Sequence, residues 1–507
     1  MQGTKKIATN TVYLYVRLIF VLVISLFTVR VVLQALGEVD YGIYNVICGF
    51  VSMFGFLSTS MTNGVQRFYN YSIGKDGGKS IVKVFTASMY IQAGLAIFLI
   101  LLVECIGIWY VNNIMVLPVE KLTVANLLFQ FSLIGLLLSF LQIPYSAAVV
   151  AYEKMNYYAF VGIVDAVAKL GIAYAVMASP EKLLCYGALL LGVNILNFCL
   201  FFCYSHHTFK SLRFDKHADK RLVKEMLSFT GWNTFGSFAY VVRWQGVNVL
   251  MNAFFGVIVN AANGVASQVS SALAYFSGNL ILAFKPQLTQ SYAAMDYKRT
   301  RYLWFLMTRL SYALVFTLSI PIIFEIDYIL NLWLGSNVPN YTASFSILVI
   351  ISVLLGCFHS PMVQVIQATG KMRKFQVVTS VVITSILPLS WLCFKAGLNP
   401  SWAYLVTIYV YIINQIIGMI MVKQAFDYTY ISFITNVILR STVFSIITPI
   451  AAILLVLLME PSFIRFILIC LITMLVASIA TYVIMLDKIE QKALITKIKN
   501  TIKLSVQ

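Results

Sequence analysis

Fourteen stretches, each about 20 or more residues long and dominated by apolar side chains, occupy most of this 507-residue chain. They lie near 11–36, 41–66, 84–110, 122–143, 157–178, 183–205, 228–255, 260–285, 302–325, 341–367, 375–396, 400–422, 432–458 and 463–486. Hydrocarbon offers no water to backbone N–H and C=O groups, so runs of this length satisfy them internally as helices. The fold class is therefore all-α integral membrane, with about 14 transmembrane helices. Only 11% of residues are charged, against roughly 25% in soluble domains. The connections are too short to hold a soluble catalytic domain.

The formal net charge is +18. In a soluble protein such an excess suggests nucleic acid. Here the basic residues flank apolar runs, which is the pattern of cytoplasmic loops. With the N-terminus inside, the inner segments hold Lys5 and Lys6, then Lys75, Lys79 and Lys83, then Lys154, Lys210 to Lys224, Lys298 to Arg301, Lys371 to Lys374, and Lys423. The outer segments hold Glu38 with Asp40, Glu120 with Lys121, Glu181 with Lys182, Glu325 with Asp327, Lys395, and Glu460 with Arg465. Both termini are expected in the cytoplasm. The run after Lys6 continues to Leu36 without a small-residue cleavage site, so it reads as a first span and not as a leader. Eight scattered cysteines show neither metal spacing nor a disulfide framework.

An internal repeat sets the architecture. Pro144, Ala151, Lys154 and Met155 coincide with Pro361, Ala368, Lys371 and Met372, 217 residues later. Each set ends an apolar run, makes a charged turn and opens the next run. Gly37, in the first outer turn, has its counterpart in Gly256. The chain thus divides into an N-lobe, 1–205 (spans 1–6), a basic linker, 206–227, and a C-lobe, 228–425 (spans 7–12). Six spans is an even number, so the halves run the same way through the membrane, as parallel repeats do. Spans 13 and 14, 426–486, fall outside the pattern and read as lipid-facing additions. The tail, 487–507, spaces Ile489, Leu494, Ile498 and Ile502 between lysines. This suits a basic amphipathic helix on an anionic leaflet, or a solvated charged tail.

Polar residues concentrate in spans 2, 7 and 8: Ser58 to Asn63, then Asn233, Arg243, Gln245 and Asn248, then Asn263, Gln268, Ser270, Ser271, Asn279 and Lys285. Such groups face a wet cavity or another helix, not lipid. Spans 1, 2, 7 and 8 are the candidates to line a central cleft. The charges within spans are mainly cationic: Arg30, Lys169 and Arg243, with Arg17, Arg67, Lys285 and Arg309 toward the cytoplasmic side. The last four also suit snorkelling to the interface. Asp165 precedes Lys169 by four residues, so the two share a helix face and can pair. The remaining cations need an offset, and an anionic ligand would supply it. Arg30, Lys169, Arg243, Lys285 and Arg67 are the candidate substrate contacts, with Asp165 a charge partner. A guanidinium fork suits phosphate and a lysine acts as a point charge. His359 reads as a satisfied core histidine or a titrating group. No glycine-rich phosphate loop, metal set or nucleophile–base pair is present, so an enzyme is not expected.

Twelve spans in two lobes, a basic middle loop and two extra spans resemble the multidrug/oligosaccharidyl-lipid/polysaccharide exporter superfamily. The stretch Leu36-Gly37-Glu38-Val39-Asp40-Tyr41-Gly42-Ile43-Tyr44 is similar to the turn between spans 1 and 2 of its polysaccharide-transporter branch. The resemblance implies a MATE-like fold and a cleft that opens alternately to each side. It also implies cations facing the pyrophosphate and the anionic sugars of an undecaprenyl-linked oligosaccharide, an O-antigen or capsule repeat unit. Spans 1 and 7 offer no carboxylate of the kind drug exporters of the superfamily use. Two other readings stay open: cation-coupled multidrug efflux, and a non-transporting scaffold of a polysaccharide assembly complex. The expected setting is the bacterial inner membrane. No cofactor is expected beyond coupling to a Na+ or H+ gradient or to the membrane potential. The expected partners are the lipid-linked oligosaccharide, membrane lipids, and a polymerase and glycosyltransferases, with no nucleic acid.

Overall fold

Apolar runs joined by short charged turns give helices throughout. The computed structural model describes residues 2–52, 54–113, 119–215, 219–334, 338–425, 427–488 and 490–491, and every regular element among them is helical. The chain forms two compact units, Lys6–Ser237, and Phe238–Gln507 with Met1–Lys5.

The first unit holds α1 (Gln2–Ser52), α2 (Gly55–Asp76), α3 (Ile81–Asn113), α4 (Leu122–Ala151), α5 (Met155–Ala175), α6 (Lys182–Thr208) and the opening turns of α7 (Lys220–Ala293). Its core gathers Ile47, Val103, Phe129 and Val176, all nearly inaccessible. The start of α7 lies against α2. Gly64 admits Thr230, whose Oγ1 would stand 2.5 Å from an added Cβ. Phe229 meets Phe68 edge-on, and Ser237 and Ser60 share a hydrogen bond of 3.2 Å. Polar residues expected on a cleft wall are here partly helix-to-helix contacts.

The second unit continues α7 and adds α8 (Tyr297–Phe324), α9 (Ile326–Leu334), α10 (Thr342–Thr369), α11 (Met372–Thr384), α12 (Ile386–Lys395) and α13 (Trp402–Ala425). Two more helices follow, Tyr430–Leu458 and Phe463–Met485.

Helix bounds repeat at the spacing the sequence suggests. The turn after α4 and the turn after α10 place Glu153 (φ 57°) and Gly370 (φ 77°) in the left-handed region, 217 residues apart. Gly78 (φ 90°) and Met295 (φ 59°) show the same interval. Gly37 (φ 77°, ψ 172°) and Gly256 (φ 79°, ψ −174°) interrupt α1 and α7 with nearly identical torsions. An added Cβ would meet no atom within 4 Å at either, so the torsion itself calls for glycine.

Among the described residues eleven helices are long and apolar enough to cross a membrane, or twelve if the bent pair Asp40–Val51 and Gly55–Asp76 is one span. The expectation of fourteen exceeds this by the two arms of α7. They are long enough, but Asn233, Arg243, Gln245, Asn263 and their neighbours dilute their apolar character. The protein is a multi-pass membrane protein.

The last two helices are more than lipid-facing additions. Phe444 and Ala477 pack on Ala313 of α8, and Ala452 and Ile469 pack on Ile320. Their opposite faces expose Leu457, Leu471, Leu475 and Ile479. Charged clasps close both ends of this contact. Arg465 grips Glu325 through Nε–Oε1 (2.5 Å) and Nη2–Oε2 (2.8 Å) and donates to the Met459 carbonyl at 2.6 Å. Arg309, 1% exposed, does not snorkel. It pairs with Asp487 and Glu490 at 3.3 Å, and Arg440 reaches Asp487 at 2.7 Å. Helix resumes at 488 and 490–491, and 492–507, the body of the expected tail helix, lie outside the described residues.

Candidate functional site

A cavity of about 270 Å³ lies inside the second unit, between α7, α10 and α13. The sequence brings polar side chains to it by helical spacing. On α13, Tyr404, Thr407, Tyr411 and Asn414 recur every three or four residues and share one face. On α10, Ser352, Gly356 and His359 do the same. From α7, Arg243 enters before the Gly256 break, and Asn263 and Ser270 enter after it. All line the space.

Arg243 is the one charged side chain among the described residues that line it. The residue is 8% exposed, and its Nε has no hydrogen-bond partner. Its guanidinium lies over the rings of Trp244 (5.3 Å) and Tyr411 (5.8 Å). Aromatic faces offset part of a cation's desolvation, roughly 0.5–2 kcal/mol each. That falls short of the several kcal/mol for a cation without a countercharge.

Toward one end, the Tyr404 hydroxyl donates to Asn263 Oδ1, and Asn263 Nδ2 donates to Asn248 Oδ1. Toward the other, Asn414 Nδ2 and His359 Nε2 lie 3.4 Å apart, with His359 stacked on Phe375. His359 Nδ1 and Asn414 Oδ1 are buried without partners. The described residues of the cavity wall therefore present a cation, aromatic faces, amides and an imidazole, and no carboxylate. Among the described residues no His, Cys, Asp and Glu side chains gather to hold a metal ion.

The other candidate residues are distributed differently. Lys285 is buried on α7 away from the cavity wall. In the first unit, Arg30 is exposed on α1. Arg67 is buried among Phe68, Tyr71 and Phe229, with ring centroids 4.6–5.4 Å from its guanidinium. Lys169 pairs with Asp165 at 2.8 Å, and Asn197 donates to the same carboxylate at 2.7 Å. The sequence reading anticipated that pair. Arg17, also unassigned to a partner by the sequence, packs over Tyr158 at 4.8 Å in space left by Gly162. Tyr404, Tyr411 and Asn414 were not singled out from the sequence. The signal for them is a polar stripe at helical spacing inside an apolar run.

This helix arrangement is the MATE transporter fold. The chain superposes on an outward-facing multidrug resistance MATE family transporter of the MOP superfamily with a TM-score of 0.70 at 11% identity, covering 83% of this chain and 96% of that one. A MATE transporter from Vibrio cholerae gives 0.69 at 13% identity, covering 85% and 99%. A MOP superfamily transporter from Pyrococcus furiosus, whose binding pocket of reverse polarity suggests a different function for it, gives 0.67 at 10% identity, covering 84% and 99%. Identities this low establish the fold alone. No family model matches the chain, and no curated protein sequence does.

Proposed function

We propose that the chain is a flippase. It carries an undecaprenyl-pyrophosphate-linked oligosaccharide, an O-antigen or capsule repeat unit, across the bacterial inner membrane by alternating access. The fold is common to this reading and to multidrug efflux, so the choice rests on charge. One observation carries it: among the described residues, the cavity of the second unit is walled by the buried Arg243 and by no carboxylate. A site for cationic drugs needs an acid to offset the cargo. A pocket of reverse polarity has a precedent in the Pyrococcus furiosus transporter of this fold. Arg30, Arg67 and Lys285 would serve the same anionic cargo, while Asp165 engages Lys169. The membrane potential, negative inside, favours outward movement of an anion by about 2.3 kcal/mol per charge per 100 mV.

The test is complementation of a strain lacking the gene, with surface polysaccharide and the cytoplasmic-leaflet pool of lipid-linked oligosaccharide both measured. Wild type restores export and drains the pool. Arg243→Glu, inserted at wild-type level, restores neither. Normal export by that variant overturns the reading, as does resistance to cationic drugs without any effect on polysaccharide.

A further inference from the structure

We propose that the seam between α2 and the opening turns of α7 is the cytoplasmic gate of the transport cycle. It is closed in this structure, and it parts so that its polar residues line the path of the cargo. The gate rests on the transporter fold and holds for a lipid-linked oligosaccharide and a drug alike, so it goes beyond the choice of cargo.

Register is the first ground. Phe68 meets Phe229, Gly64 admits Thr230, and Ser60 bonds to Ser237 at 3.2 Å. On α2 these residues step by four and share one face. Their partners fall along α7 as the α2 numbers rise, as in an antiparallel helix pair. Ser60 to Phe68 is about 12 Å of helix rise, less than half of the ~30 Å hydrocarbon core. The seam thus takes up one side of the membrane, the side nearer Lys220, Arg221 and Lys224, which basic charge marks as cytoplasmic.

Chemistry is the second ground. The last helix pair is fastened to α8 by apolar contacts and a buried ion pair. The α2–α7 seam is fastened mainly by hydroxyls, an amide and a glycine. Ser60 is wholly buried, and its carbonyl accepts from Asn233 Nδ2 at 3.4 Å. Hydrogen bonds between membrane helices are individually weak, and water can replace each of these when the helices part. Surfaces of this polarity suit a wet path and not lipid.

Connectivity is the third ground. One helix, interrupted at Gly256, runs from Lys220 to Ala293. Its turns through Ser237 belong to one compact unit and those from Phe238 to the other. A stiff helix shared by two bodies cannot follow both, so a shift of one body against the other is taken up where the helix is held most weakly. The seam is such a place.

The experiment uses the full chain in the membrane. Ser60→Cys with Ser237→Cys is expected to form a disulfide on mild oxidation, because the two hydroxyls are already in contact. The cross-linked protein should export no surface polysaccharide until dithiothreitol releases it, and either single variant, oxidised alike, should export normally. In inside-out vesicles, Ser237→Cys alone is treated with a membrane-impermeant maleimide, and the label at position 237 is read by mass spectrometry. Adding Gly64→Ala should raise its rate at least fivefold, since the new Cβ would stand 2.5 Å from Thr230 Oγ1. Adding Thr230→Ala as well removes that atom, leaves the Thr230 Cβ at an ordinary 3.5 Å, and should return the rate to its starting value. Wild-type export by the cross-linked protein overturns the gate, as does a labelling rate that Gly64→Ala leaves unchanged. If the wild-type chain itself fails to restore export, the flippase reading falls and the labelling series still decides the gate.

Discussion

The clasp between Glu325 and Arg465 holds the final helix pair to α8, and its energy can be worked from the structure. Both side chains are buried, Glu325 to 1% and Arg465 to 7% exposure. Arg465→Met removes two hydrogen bonds to the carboxylate and one to the Met459 carbonyl. Breaking a buried pair from one side costs about 3–5 kcal/mol, because the remaining charge is stranded. The clasp is at a helix end, where water can reach a stranded carboxylate, so we take the lower bound of about 3 kcal/mol. Glu325→Leu alone strands the guanidinium and should cost a similar amount. The double variant strands neither charge and should recover at least about 2 kcal/mol of the summed loss, within the range of coupling between contacting residues. The assay is a double-mutant cycle on thermal unfolding of the purified chain, with protease sensitivity of the Met459–Ser462 turn as a local readout. Strict additivity would refute the reasoning. So would a loss below about 0.5 kcal/mol in both single variants, the value of a solvated surface pair.

Two further predictions concern other parts of the fold. Burial raises the Asp487 carboxyl, but hydrogen bonds and charge from Arg309 and then Arg440 outweigh it and hold the group below its usual value. Burial of Glu490 wins over the same arginine and raises that carboxyl. Asp487 thus stabilises above the ordinary carboxylate value near ~3.9, an effect lost as pH falls through its lowered value. Glu490 stabilises at low pH and loses that effect as pH rises through its raised value. At pH 7, Asp487→Asn should lower the unfolding midpoint and Glu490→Gln should hold or raise it. The gap between the two variants should narrow by pH 4. Gly37→Ala and Gly256→Ala should each destabilise by about 1–3 kcal/mol, since positive φ with ψ near 180° is a region essentially reserved for glycine. Gly42→Ala and Gly264→Ala, in helix with open space for a Cβ, serve as controls and should stabilise by up to about 1 kcal/mol in the same unfolding assay.

What the sequence disclosed follows from the range of the interactions. Local patterns were legible. The four-residue spacing of Asp165 and Lys169 gave their pair, and the echo around Pro144 and Pro361 gave the offset that the helix bounds repeat. Partners far apart in the chain were not. Glu325 and Arg465 are 140 positions apart, and both looked like ordinary outer-loop charges. Arg309 looked like a snorkelling residue because its acids lie beyond the last span. Arg243 could be singled out as a charge in an apolar run, but the cavity around it depends on how α10 and α13 turn their polar stripes. Hydropathy placed the arms of α7 correctly in sequence and overstated their apolar character.

The left-handed turns bear on how such a chain can be compared with distant kin. Glutamate at 153 and glycine at 370 share no side-chain chemistry, nor do glycine at 78 and methionine at 295, yet each pair keeps the same sign of φ. At these positions the backbone preserves what the letters have lost. A profile of torsions along the chain would align its two halves, and would align it with other bundles of this fold at identities near 10%, where matching residues leaves little to count.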